Sequence, residues 1–205
     1  MYLDRDLRDL ADLLNVPDFV RIMRATALRI GNLFNQSEMG RDSQMSQPQV
    51  HRYLNLLEIS YQFVRLNAFV SNRSSRLIKA SKAYWTDTAL AMSVAGETEP
   101  RGAHLENMVL HDLLVWQGAE APGAQVMYWR TAGGREVDFV VEHGRRHLPI
   151  EVKTSTTLNA RDAAALTHFL ADYHDSAAGA LILYNGTRTF WLADRILATP
   201  WWKVI

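Results

Sequence analysis

Two segments decide how this chain is read: Glu136-Val137-Asp138-Phe139-Val140-Val141-Glu142 and, one turn later, His147-Leu148-Pro149-Ile150-Glu151-Val152-Lys153-Thr154. Both are rich in strand-forming residues, with Gly133-Gly134 ahead of the first and His143-Gly144 between them, so they predict neighbouring strands. Side chains alternate along a strand, so Glu151 and Lys153 share one face while Ile150 and Val152 share the other. Asp138 shares its face with Glu136 and Val140, and pairing of the two strands as a hairpin stands it beside Glu151. Two adjacent carboxylates repel unless a cation lies between them. Mg²⁺ (or Mn²⁺) suits such a pair, because it takes one or two carboxylates, keeps several waters and leaves room for a phosphate oxygen. Lys153 is then placed to position or help deprotonate an attacking water and to offset phosphate charge. A lone Glu-x-Lys is usually a surface ion pair; the placement of Asp138 one tight turn upstream, a preceding helix with an inward Glu and a following capped helix are what favour chemistry.

Working outward, a strand over Val126 to Arg130 precedes this pair, and a helix from about Gly102 to Trp116 precedes that. The helix carries Glu106, an acid available to hold a metal-bound water or a second ion. Downstream, Asn159 caps a helix reaching about Tyr173, and Ala180 to Tyr184 and Thr189 to Leu192 read as strands around Asn185-Gly186, a hairpin signal. Helix, three strands, helix, two strands predicts an α/β domain with a mixed sheet flanked by helices. The turn-rich Ala95-Gly96-Glu97-Thr98-Glu99-Pro100 marks a linker, dividing the chain into domains 1–95 and 96–205.

The first of these reads as helical. Leu3, Leu7, Leu10 and Leu14 recur at helical spacing up to Asn15-Val16-Pro17. Asp18 is the expected cap of a second helix carrying Phe19, Ile22, Met23, Ala27 and Ile30, and Gly31 either breaks that helix or marks close packing. After a short helix around Ser37 to Arg41, Ser46-Gln47-Pro48-Gln49 forms a capping box ahead of the stripe Val50, Tyr53, Leu54, Leu57. Gln47, Gln49, His51, Arg52 and Asn55 are left facing outward. Strands over Tyr61 to Phe69 and Ala83 to Thr86 then flank the basic loop Ser71 to Arg76, with Arg73 and Arg76. Together these make a winged helix-turn-helix. Gln and Asn side chains can pair with adenine, and Arg52 can reach guanine or phosphate; winged helices also serve as protein-binding or packing modules.

The 205 residues have a formal net charge of zero, but positions 21–82 hold ten Lys and Arg against three acids. Such a block is a footprint for a polyanion or a solvated face. Cysteine is absent, no apolar run is long enough to span a membrane, and the acidic start lacks a signal-like apolar core, so a cytoplasmic protein is expected. His104 and His111, seven apart on one helix, read as satisfied or surface residues, and Trp201-Trp202 as a packing or interface pair.

Residues 101 to 192, with Asp138, Glu151-Val152-Lys153 and Glu106, resemble the PD-(D/E)xK restriction-endonuclease-like nuclease fold. The chain as a whole resembles the C-terminal half of a prokaryotic family of AAA-type ATPases, in which a winged helix and a nuclease-like domain follow the ATPase. Tyr2 to Asp6, Ser71 to Asp87, Gly102 to Glu106 and Tyr128 to Lys153 carry the likeness. It departs in having Val137 where the motif's name places Pro, and in having no Gly-Lys pair for a phosphate loop, so ATP hydrolysis by this chain is not expected and a separate ATPase is an expected partner. The resemblance implies a DNA-binding protein with a Mg²⁺-dependent nuclease site: Asp138 and Glu151 on the metal, Lys153 activating, Glu106 assisting. The alternative is a non-catalytic module that keeps the nuclease fold to bind nucleic acid or protein.

Overall fold

The computed structural model describes residues 15–70 and 80–204. The leucine-spaced segment before Asn15 and the loop bearing Arg73 and Arg76 lie outside the described residues. The first described helix, α1 (Val16–Ala27), is capped by Asn15, whose side chain accepts from the Asp18 N–H. The cap therefore falls three residues earlier than Asp18, because Pro17 is itself accommodated in the first turn, where its missing N–H leaves no bond unmade. The helix ends before Gly31, which follows in a left-handed conformation (φ 77°). Gly31 also lies against a later helix: a Cβ there would stand 3.3 Å from the Ala103 Cβ and 3.4 Å from Glu106 Oε2.

Helix α2 (Gln36–Ser43) is capped by Asn35, and α3 (Gln47–Ile59) opens on the Ser46–Gln49 capping box, in which Gln49 Oε1 accepts from the Ser46 N–H at 3.0 Å. The α3 stripe Val50, Tyr53, Leu54, Leu57 is buried as the spacing requires. Strands β1 (Phe63–Leu66) and β2 (Lys82–Trp85) pair antiparallel, Phe63 opposite Trp85 and Leu66 opposite Lys82. The expected approach to the linker instead holds α4 (Thr88–Ala95), capped by Asp87. Its run of small and apolar residues carries little helical periodicity, so nothing in the pattern marks it.

Helix α5 (Gly102–Ala119) leads into β3 (Ala124–Arg130), β4 (Glu136–His143) and β5 (Arg146–Lys153). A 3₁₀ turn (Ala160–Ala163), capped by Asn159, runs into α6 (Ala164–Asp172), and β6 (Ala180–Tyr184), β7 (Phe190–Ala193) and β8 (Ile196–Pro200) complete the sheet. The spatial order is β3-β4-β5-β6-β8-β7. β3/β4, β4/β5 and β7/β8 pair antiparallel, while β5/β6 and β6/β8 pair parallel. Asn185-Gly186 therefore does not close a β6–β7 hairpin. β8 is buried along most of its length and takes the slot beside β6, whereas β7 alternates between half-buried and exposed and goes to the edge. Gly186 has its own reason to be there: a Cβ would run into the Tyr184 ring and stand 2.6 Å from Thr156 O.

Two apolar layers cover the sheet. Residues of α1 to α5 and β1–β2 pack with Phe139, Ile150 and Leu183 in one, and Leu166, Phe169 and Leu170 of α6 pack with Val137, Val140 and Ile182 in the other. The described chain is thus a mixed α+β protein with six α-helices and two sheets. No described helix is long and apolar enough to cross a membrane.

Candidate active site

The β4–β5 ladder runs from His143 opposite Arg146 to Phe139 opposite Ile150. One step further the register sets Asp138 opposite Glu151. There the Asp138 side chain takes over from the ladder, its Oδ2 accepting the Val152 N–H at 2.9 Å. Glu151 is 7 % exposed. Its Oε1 receives the Lys153 ammonium at 2.6 Å, while its Oε2 is buried with no hydrogen-bond partner. Burial, then the nearby charges of Glu106 and Glu151, hold the Asp138 carboxyl well above its ordinary pKa, against the pull of Lys82 and the Val152 N–H. Burial also raises Glu151; Lys153 opposes that and Glu106 adds to it. For Lys153 burial acts downward, but Glu151, with help from Asp138 and Asp162, wins and raises it. Lys153 is therefore a firm ammonium, suited to offsetting negative charge rather than to taking a proton.

Glu106, on the second turn of α5, joins this group, but its carboxylate is already engaged. Oε1 accepts the Tyr84 hydroxyl and lies 3.0 Å from the Lys82 ammonium. Lys82 is only 2 % exposed, and its Nζ lies 2.5 Å from Glu136 Oε1 and 3.9 Å from Asp138 Oδ1. These carboxylates, Glu106 foremost, outweigh burial and raise its pKa further, so it is fully charged at neutral pH. Burial and Glu106 likewise hold the Tyr84 hydroxyl protonated.

Sequence reasoning counted Lys82 only as part of the basic block and missed Tyr84 and Glu136 as site residues. One signal was present: Lys82 sits in a strand whose other residues, Ala83, Tyr84 and Trp85, are all apolar or aromatic, and a lysine buried in such a strand needs partners. Asn107, the next residue on α5, fixes β2 against the helix. Its side chain accepts the Trp85 N–H and donates to Trp85 O, both at 2.8 Å, and donates to Thr88 Oγ1 at 2.7 Å. The acids of the sheet, the acid of α5 and the lysine of β2 are thereby brought to one point.

On α3, Gln47, Gln49, His51 and Arg52 are exposed and Asn55 is half-buried. Gln47, Gln49, His51 and Asn55 have neighbours within hydrogen-bond reach. Gln47 donates to Ser37 Oγ, Gln49 closes the capping box, and Asn55 lies between Arg65 (3.3 Å) and His51 (3.1 Å). His104 is a helix-start residue, its Nδ1 accepting the Arg101 N–H at 2.9 Å, and His111 is exposed beside Asp112. Trp201 donates to Asn185 Oδ1 at 3.1 Å and packs against the first apolar layer.

Among the described residues no three His or acidic side chains form a ready metal-ligand group. The donor chemistry of Asp138 and Glu151 nevertheless fits a hard divalent cation, which needs only one or two carboxylates. The buried, unpartnered Oε2 of Glu151 is an acceptor lacking the cation, proton or water that would satisfy it.

A family described as a domain of unknown function (DUF4143) matches residues 101–204, and a second, also a domain of unknown function (DUF8612), matches residues 1–101. Uncharacterised proteins of Mycobacterium bovis and Mycobacterium tuberculosis are each 28 % identical over 207 aligned positions, covering 97 % of this chain and 45 % of their own length. The chain thus spans less than half the length of the curated relatives it matches.

Proposed function

The chain belongs to the DUF4143 family, and from the geometry of its acid cluster we propose that it is a nucleic-acid-binding protein with a Mg²⁺- or Mn²⁺-dependent phosphodiester-hydrolysing site. The observation that carries this reading is the unpartnered Oε2 of Glu151, buried beside Asp138 and Lys153. The β4–β5 hairpin, the α5 acid and the mixed sheet support the PD-(D/E)xK nuclease-like fold, and α1 to α3 with β1–β2 support a winged helix. When bound, the metal ion supplies Lewis-acid polarisation of a phosphate oxygen and a lowered water pKa. Asp138, oriented by the Val152 N–H, and Glu151 hold it. Lys153 stays protonated and offsets charge developing on the phosphate. Glu106, tied to Lys82 and Tyr84, shapes the field of the site without serving as a ligand. The exposed α3 face, with Arg52, guides the nucleic acid, and DNA is the proposed substrate. An AAA-type ATPase is the proposed partner, in keeping with relatives more than twice as long.

One observation favours a second reading. Lys82 already neutralises part of the cluster, as expected of a non-catalytic module that binds nucleic acid or a partner ATPase through the same fold. A nuclease assay with Mn²⁺ on single-stranded, duplex and branched DNA separates the two. Hydrolysis is expected in the wild type and lost in Lys153→Ala, with Arg52→Ala weakening duplex cleavage and flattening its salt dependence. Equal traces in wild type and Lys153→Ala would favour the scaffold.

A further inference from the structure

Lys82 is the one cation of the cluster contributed by the N-terminal half of the chain, and its strand is held on both sides. Its strand pairs with β1, Leu33 bridges to it from the other side, and Asn107 fixes the strand end to α5. Its ammonium has carboxylate oxygens of Glu136, Glu106 and Asp138 at 2.5, 3.0 and 3.9 Å, with the Tyr128 ring 5.8 Å away. Three carboxylates around one positive centre is the environment of a bound divalent cation, except that the cation here is a covalently attached side chain. Glu151, whose Oε1 takes the Lys153 ammonium at 2.6 Å, has its Oε2 buried without a partner. The cluster therefore has one place for positive charge filled by Lys82 and, at Glu151, one acceptor oxygen that no group of the protein satisfies.

We infer that the site takes a single divalent cation, at Asp138 and Glu151, and that Lys82 stands permanently in the place of a second. This rests on the hydrolytic reading for its purpose but not for its test. Glu136 is held between the ammonium and Arg130, Glu106 Oε1 is taken by the ammonium and Tyr84, and Asp138 is the carboxylate shared between the fixed charge and the exchangeable one. Lys82 is thus a positioning residue: it sets how many metal ions the acids accept and directs the ion to Glu151. It also makes the site composite, since residues 101–204 alone lack it.

The test is metal counting on the full chain with Mn²⁺ alone, by titration calorimetry and by electron paramagnetic resonance of free ion. The wild type is expected to bind one Mn²⁺ per chain, and Asp138→Asn none. Lys82→Gln, which removes the charge and leaves three carboxylates facing one another, is expected to bind two. Glu136→Gln, which keeps the ammonium, is expected to bind one. A wild-type count of two or of zero overturns the inference, as does a folded Lys82→Gln that stays at one. If Lys82→Gln does not fold, the count is made on Lys82→Gln/Glu136→Gln, which removes one carboxylate together with the ammonium; two bound ions are expected, and one overturns the inference. One bound Mn²⁺ without DNA cleavage leaves the inference standing and sinks the hydrolytic reading; two bound with cleavage does the reverse.

Discussion

The β4–β5 hairpin buries a glutamate near each end and treats the two in opposite ways. Glu142, 5 % exposed, has His147 Nε2 at 3.3 Å from its carboxylate, and His147 in turn meets Ser176 Oγ at 2.8 Å and the edge of the Phe69 ring. Glu151, 7 % exposed, has one oxygen on a half-exposed lysine and the other on nothing. Residue type, strand pair and burial are nearly the same, yet one end is closed by its own neighbours and the other is left open among like charges. A buried acceptor without a partner is destabilising by about 1–3 kcal/mol. That cost falls at the Asp138 end, where the proposed cation would offset it.

The largest expected effect tests the neutralised part of that open end. Lys82→Met should destabilise the protein by about 3–5 kcal/mol in urea unfolding, because it removes the charge that faces Glu106 and Asp138 and leaves Glu136 with Arg130 alone. A loss below about 1 kcal/mol would mean that the ammonium is not the structural centre described above.

The comparison itself is sharpened by matched substitutions measured in chelator at neutral pH. Glu142→Gln should lower stability by about 1–2 kcal/mol by weakening its contact with His147 Nε2. Glu151→Gln should raise it by about 1 kcal/mol by removing a charge that the fold disfavours. Equal signs for the two would erase the distinction between the ends. The gain should also depend on pH in a fixed direction. The folded-state pKa of Glu151 is raised, so the folding penalty of its ionisation is fully present above that raised value. It disappears as pH falls into the ordinary carboxylate range, where wild type and Glu151→Gln should converge. Divergence on acidification would contradict the assigned cause.

Much of the C-terminal half was legible from local pattern. The strands holding Asp138, Glu151 and Lys153, the turn between them, the α5 helix and the Asn159 cap all follow from period, turn chemistry and capping. So does the buried stripe of α3. The failures were non-local. Asn185-Gly186 is good hairpin chemistry, but strand neighbours are chosen by burial, and β8 is the better-buried strand. The α4 helix has too little amphipathic contrast to show a period. Lys82 is separated by 24 positions from Glu106 and by more than twice that from Glu136, and no short-range spacing rule connects residues so far apart.

What the sequence alone determined is the set of elements and the supply of chemistry: which segments are strands, which acids share a hairpin, and that a lysine follows two residues after Glu151. What only the tertiary structure decided is how those charges are divided, with Glu106 and Glu136 committed to Lys82 and Glu151 left with a free oxygen. Local propensity acts over a few residues through backbone sterics and capping bonds. The pairing of buried charges is fixed by which distant elements pack together, because only there does desolvation make one partner matter more than another.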